Sequence, residues 1–363
     1  MTKSVVAALV GVAAVMLYFV AWPVPVDPVA WEAPTDYGLS GVFDRNNQLS
    51  NARSIDLGPH QGPEDVALGH DGFLYATSRG GKVLKISPRD GSVEVFATPG
   101  GRPLGIEVDY DGSLLVANAH IGVQRITTDG EVSNILTEVN GKPLVFADDV
   151  AVARDGTIYV SEASTKFSPA IFDGTLEASL LDIVEHGGNG LVVEYKPETG
   201  VARVVLDGMN FANGVAVSDD QKSLMIVETG SHRIHRLWLK GPQSGASEVI
   251  IDNLPGFPDN INNGINGRLW IGLIAPRNRL LDKYSGYPFV RKMMQRAPAF
   301  ARPKPERSSH VIAITGDGQV LMNLQDPEAR YPMMTGVLET RTTLFLTTLN
   351  GNRLPYVLKE DLL

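Results

Sequence analysis

The chain has 363 residues, 43% hydrophobic and 20% charged, with a formal net charge of −9. That length builds one large domain or two ordinary ones, and the acidic balance excludes a nucleic-acid partner, whose phosphates call for a basic face. The absence of cysteine removes disulfides, thiol catalysis and zinc–thiolate sites together.

Residues 5–22, VVAALVGVAAVMLYFVAW, carry no charge over 18 positions, which just reaches the length of a membrane span. Lys3 precedes the run, so its amino end is expected to stay cytoplasmic, and Tyr18, Phe19 and Trp22 stand at the far interface. A cleaved signal peptide would have a shorter apolar core and a small-x-small cleavage site. The run ends instead in Ala-Trp-Pro, which favours an uncleaved single-pass anchor with the rest of the chain exported. The reading divides the chain into a membrane anchor (1–22), a stiff proline-rich spacer (23–40) carrying Pro23, Pro25, Pro28 and Pro34, and a body (41–363).

In the body a unit recurs: an apolar strand, a tight turn, a second apolar strand, a loop and an alternating third strand. Copies begin at Gly62, Arg102, Phe146, Phe211, Pro258 and, more weakly, Met334. Asp71-Gly72, Asp111-Gly112 and Asp155-Gly156 supply hairpin turns in the first three. A period of about forty residues with several short strands per unit is the pattern of propeller blades. The expectation is an all-β, six-bladed β-propeller with an N-terminal transmembrane helix, its last blade closed by 52-ARSIDL-57 so that no free sheet edge remains.

Two copies are stretched just after their second strand, over about 163–189 and about 275–309. The first insertion contains 175-TLEASLLDIVEH-186, a short helix by its spacing. The second contains 289-FVRKMMQRAPAF-300, which is basic and apolar and suits contact with a membrane or an apolar substrate. Both leave from one face and are read as lids.

The start of strand one and the end of strand two lie on that same face, because the two strands are antiparallel. Strand one is innermost, so Glu64, Asp148, Asn213 and Asp259, each at its start, ring the central channel, with Asn260 beside them. Asp and Asn also begin strands simply as turn formers, but four oxygen donors in one register point to a metal. Hard oxygens without histidine or cysteine suit one Ca2+ ion, with Mg2+ as second choice. The ends of strand two add Ser78, Arg79, Asn118, His120, Glu162, Ser164, Glu228, His232, Asn278 and Asn350 to the mouth. His120 is the candidate general base, since its pKa lies near working pH. His60, His70 and His310 are read as loop residues. No G-x-S-x-G elbow or glycine-rich phosphate loop is present.

The segments 62-GPEDVA-67, 146-FADDVAVARDGTIYVSEASTKF-167, 205-VLDGMNFANGVAVS-218, 227-VETGSHRIHRLWLKGPQSG-245 and 253-NLPGFPDNI-261 resemble the six-bladed propeller superfamily of gluconolactonase, the paraoxonases and the strictosidine synthase-like proteins. Within it the chain resembles the branch that includes adipocyte plasma membrane-associated protein. The resemblance implies calcium in the central channel, held by Glu64, Asn213 and Asp259, with Asp148 where the family usually has Asn. It also implies lactone or aryl-ester hydrolysis. The glutamate used in the plant alkaloid condensation is absent: Leu273 and Ile274 stand there. Leu104 and Ala119 stand near the places of the paraoxonase histidines, with His120 one residue off. The expected function is membrane-anchored, calcium-dependent hydrolysis of a small apolar ester or lactone, with His120 or Asp148 activating water. A non-catalytic propeller stabilised by calcium, acting as a binding or scaffold protein, is the alternative.

Overall fold

The structure, a computed structural model, describes residues 2–362. Among them, six four-stranded antiparallel sheets are arranged as propeller blades. Their inner strands are Val66–Leu68, Pro103–Val108, Ala147–Val152, Ala212–Val217, Gly256–Asn263 and Met334–Glu339 for blades 1 to 6. Blade 6 takes its outer strand, Arg53–Asp56, from the start of the body: Arg53 pairs with Tyr356 and Asp56 with Arg353. This closure is the one expected from the sequence, and it ties the two ends of the body into one sheet.

The local chemistry repeats with the blades. Gly72, Gly112 and Gly156 have φ of +80°, +84° and +80°, a left-handed conformation that costs glycine nothing. The preceding aspartates accept from the amides two residues on, Phe73, Ser113 and Thr157, at 3.2, 2.9 and 3.1 Å. Each such turn thus carries its own side-chain hydrogen bond.

The sequence pattern gave three strands per unit and the structure has four. The missed outer strands, such as Val93–Ala97 and Val132–Leu136, are largely exposed, so they lack the apolar periodicity that marks the inner three. His310 corrects another expectation. It lies buried in the strand Ser309–Ile314, its Nε2 2.7 Å from Asn323 Oδ1.

Apolar clusters fill the wedges between successive blades, for example Leu115, Val150, Ile158 and Val160 between blades 2 and 3. A further cluster lies over the mouth and includes Leu104, Phe146, Phe211, Phe167 and Ala178. The insertions occupy residues 163–189 and 277–308. The first carries helix α2 (Thr175–Glu185); the second carries α3 (Arg279–Lys283) and α4 (Pro288–Arg296). The N-terminal apolar helix α1 (Lys3–Ala21) projects with no buried residue.

The proline-rich stretch after α1 is not a free spacer. Val26 is fully buried in the mouth cluster. The Val29 amide donates to Glu185 O at 2.8 Å, Trp31 stacks on His186 with ring centroids 4.0 Å apart, and Arg277 Nη2 donates to Pro34 O at 2.8 Å. Buried Arg291 of α4 binds Val184 O at 2.8 Å, Ser285 O at 2.9 Å and Val29 O. These backbone contacts, invisible to a composition-based reading, strap the stretch across both insertions.

Candidate functional site

Every inner strand from blade 2 to blade 6 breaks register near its start, as between Ala147 and Val150, between Ala212 and Val215 and between Pro258 and Ile261. Such a bulge frees two consecutive residues from the ladder. They form two layers about the axis. The upper layer reads Glu64, Leu104, Asp148, Asn213, Asp259 and Thr335 around blades 1 to 6. The lower layer reads Asp65, Gly105, Asp149, Gly214, Asn260 and Gly336.

The lower layer alternates a polar side chain with glycine. Asp65 Oδ2 accepts from the Ile106 amide of blade 2 at 3.0 Å, and Asp149 Oδ2 accepts from the Val215 amide of blade 4 at 2.8 Å. Each carboxylate clasps the next blade at its bulge. The intervening glycines are required by close approach: a Cβ on Gly105 would lie 2.1 Å from Asp149 Oδ1, and one on Gly214 would lie 2.4 Å from the Ile261 amide nitrogen. This layer was missed from the sequence, though its signal stands one residue further along the same repeat.

The upper layer brings the expected donors together. Glu64, Asp148, Asn213 and Asp259 line one small cavity of about 50 Å³ at the centre of the wheel. Asn213 Nδ2 donates to Asp259 Oδ1 at 2.5 Å, and Asn260 Nδ2, reaching up from the lower layer, donates to Glu64 Oε1 at 3.0 Å. Thr335, an upper-layer member the sequence reading passed over, donates to Glu64 O at 2.6 Å.

Three carboxylates are buried here beside one buried cation, Arg102. Burial first, then Asp259 and Asp148, hold the Glu64 carboxyl well above the usual range. Burial and Asp259 do the same to Asp148, and burial raises Asp259 to about 7. Glu64 Oε2, Asn213 Oδ1 and Asn260 Oδ1 are buried without any hydrogen-bond partner. Buried acceptors and buried like charges are costly unless something positive satisfies them. A hard divalent cation would do so, and the donor set fits one. Among the described residues no group of three or more His, Cys, Asp or Glu side chains forms a metal cluster alone; the set that fits is mixed, with two amides completing three carboxylates.

A larger cavity of about 380 Å³ adjoins this floor. The two share Leu176, Ser179, Phe211, Asp259 and Ile274. Both insertions contribute to the larger cavity, through Leu180 and Val184 of α2 and Met294 of α4, and Phe257 and Phe300 add aromatic wall.

Of the strand-two-end residues named above, only Asn278 lines the larger cavity, and none lines the floor. Glu162 Oε1 accepts from the amides of Val145 and Phe146 at 2.7 and 2.9 Å, Glu228 Oε1 from Asn210 at 2.9 Å, and Asn118 Oδ1 from Arg102 at 3.0 Å. They bind the segment that leads into each inner strand. Ser164 Oγ donates to Asp182, Asn278 caps α3, and buried His232 places Nδ1 3.1 Å from Gly256 O. His120 is exposed and lies outside the residues that line either cavity. Burial of part of its ring, then Arg102, lowers its pKa, but the structure does not bring it to the carboxylates.

Fold and central layers together define a six-bladed propeller with an oxygen-lined axis beneath an apolar cavity. The strictosidine synthase profile matches residues 148–242, and that of the strictosidine synthase-like N-terminal region matches residues 41–86. Protein STRICTOSIDINE SYNTHASE-LIKE 6 of Arabidopsis thaliana is 33% identical over 296 residues, covering 80% of this chain and 77% of its own length. Adipocyte plasma membrane-associated protein of Salmo salar is 30% identical over 348 residues, covering 89% and 81%. The chain belongs to the strictosidine synthase-like family. Among solved structures, a gluconolactonase from Xanthomonas campestris superposes with a TM-score of 0.61 at 19% identity, covering 92% of this chain and 96% of its own. A calcium-binding regucalcin from Agrobacterium tumefaciens superposes at 0.58 with 14% identity, covering 85% and 93%. At these identities the likeness is one of fold.

Proposed function

We propose that the protein is a membrane-anchored, calcium-dependent hydrolase of small apolar esters or lactones. The observation that carries this reading is the adjacency of two cavities: a floor of buried, unsatisfied oxygen donors and an apolar chamber opening directly onto it. The names of the solved neighbours, a gluconolactonase and a calcium-binding protein, support it. The apolar 19-residue helix α1, with a mean hydropathy of 2.4, and the membrane-associated name of the salmon relative support the anchor.

In this reading Glu64, Asp148, Asn213, Asp259 and Asn260 hold the cation, which when bound supplies a Lewis acid for the carbonyl oxygen. Leu176, Phe211, Ile274 and Phe257 surround the acyl group and exclude bulk water. Asp148 and Asp259 both reach the cavity floor, and Asp148 takes the proton from the attacking water. Ionised beside the cation, Asp148 is competent to accept that proton. His120, exposed and off the cavity, has no part. The insertions act as lids that bound the chamber.

Turnover of phenyl acetate and a panel of lactones by the full-length protein, with and without a calcium chelator, tests this. Hydrolysis that the chelator abolishes is expected. Absence of hydrolysis, with calcium still raising the melting temperature, would favour a scaffold whose cation is structural.

A further inference from the structure

The side chain of Arg296, at the end of α4, is bound to the end of α1. Its Nε donates to Trp22 O at 2.6 Å and its Nη1 to Phe19 O at 2.9 Å, while Tyr18 OH donates to Arg296 O at 3.0 Å. These are carbonyls that the last turn of a helix leaves without an intrahelical partner, so the contact satisfies both elements. Lys292 adds an ion pair to Asp27 at 2.5 Å. The propeller is therefore fixed to its apolar helix, and fixed through the second insertion.

Tyr18, Phe19 and Trp22 are the residues that set the interface level of a span. Because Arg296 reaches two of them, the C-terminal end of α4 lies at that level too. The surface there is the one an interface selects. Phe300 is 84% exposed, Phe289 54% and Tyr287 61%, while the basic side chains of residues 277–308 that are not buried, Arg279, Lys283, Lys292, Arg302, Lys304 and Arg307, outnumber the acidic Asp282 and Glu306 in a chain of net charge −9. Exposed aromatics with surrounding positive charge fit a headgroup layer containing anionic lipid. Phe300 is also on the cavity wall, with Ala299, Arg302 and Lys304, in the same chamber that reaches Asp259. One aromatic ring thus belongs both to the exposed patch and to the chamber.

We propose that the rim formed by α4 and Phe300 lies in the lipid headgroup layer, and that the chamber takes its ligand from the bilayer, not from water. Resting on the hydrolase reading, this makes the substrate an ester or lactone with a lipid-soluble body.

The chain lacks cysteine, so one introduced thiol carries one fluorophore without background. Full-length Phe300→Cys and Phe289→Cys, labelled and reconstituted in vesicles of phosphatidylcholine with phosphatidylglycerol, are exposed to lipids spin-labelled near the headgroup. Tyr110→Cys is the control: it sits in the turn at the far end of blade 2 and is 57% exposed. Strong quenching at 300 and 289 and none at 110 is expected. Quenching at 300 no greater than at 110 overturns the surface, as it would if a second copy or a protein partner covered the patch.

A second arm compares a long-chain phenyl ester dissolved in the vesicle with phenyl acetate in water. In Tyr287→Glu/Phe289→Glu, exposed on the patch and off the chamber wall, the membrane-borne ester should lose at least about tenfold in turnover, with phenyl acetate unchanged. Equal effects on both esters overturn the loading route. If the parent hydrolyses neither ester, the hydrolase reading fails and the loading route with it, while the quenching arm still decides the surface.

Discussion

Gly105→Ala is the sharpest perturbation of the central layers. The added Cβ would stand 2.1 Å from Asp149 Oδ1, 2.7 Å from its Cα and 2.9 Å from its Cγ. Asp149 has no room to yield. Its Oδ1 accepts from the Val150 amide at 2.8 Å, its Oδ2 from the Val215 amide at 2.8 Å, and its own amide donates to Ser161 Oγ at 2.9 Å. The methyl must push the inner strands of blades 2 and 3 apart or break the clasp onto blade 4. Overpacking of this kind costs about 1–3 kcal/mol, and losing the hydrogen bond instead costs up to about 3 kcal/mol, so by either route a destabilisation of roughly 1–3 kcal/mol is expected. Urea unfolding in detergent reads it as a lower midpoint at unchanged slope. Gly80→Ala, with nothing within 4 Å of its Cβ, is the control and should stay within about 0.5 kcal/mol of the parent. Combining Gly105→Ala with Asp149→Ala removes the contacts with Oδ1 and Cγ and leaves only the one with Cα, so the pair should cost less than the sum of the single changes. Equal midpoints for Gly105→Ala and Gly80→Ala would refute the account of the lower layer.

Calcium should raise the melting temperature of the parent, by an amount corresponding to about 2.7 kcal/mol at a hundredfold excess over its Kd, and Glu64→Ala or Asp259→Ala should abolish the rise; a parent that calcium leaves unmoved rules out the site. Burial lowers the His310 pKa from an ordinary 6.5 to about 4. Between those values the unfolded chain binds the extra proton, so stability is full above about pH 6.5 and falls by about 3 kcal/mol as pH drops to 4. His310→Gln should remove that acid loss, seen as a shallower decline in urea midpoint, and parallel curves would contradict it. Arg291→Met should free the strap over the insertions, because it removes three carbonyl contacts at once; faster proteolysis within residues 23–36 checks this, and an unchanged cleavage rate would place the strap's strength elsewhere.

Period and turn chemistry sufficed to read the wheel. Asp-Gly turns in three copies, apolar inner strands in register in all six and an unpaired ARSIDL segment are local signals. The same register exposed Glu64, Asp148, Asn213 and Asp259, because a propeller sends equivalent positions to one axis. What the sequence could not supply was set by contacts between distant segments. The outer strands carry no period because solvent covers them. Glu162, Glu228 and Asn118 look like mouth residues by position, yet backbone amides of their own blades claim them. His120 looked suitable by its chemistry, and only the packed structure shows it standing outside the chamber. The alternation of Asp65, Gly105, Asp149, Gly214, Asn260 and Gly336 has meaning only when neighbouring blades meet. The strap of residues 23–36 reads as a spacer until Arg291 and Glu185 are seen to hold it. Side-chain type and register are properties of the chain alone; which partner a polar group finds is decided by which segments the fold brings within hydrogen-bonding distance.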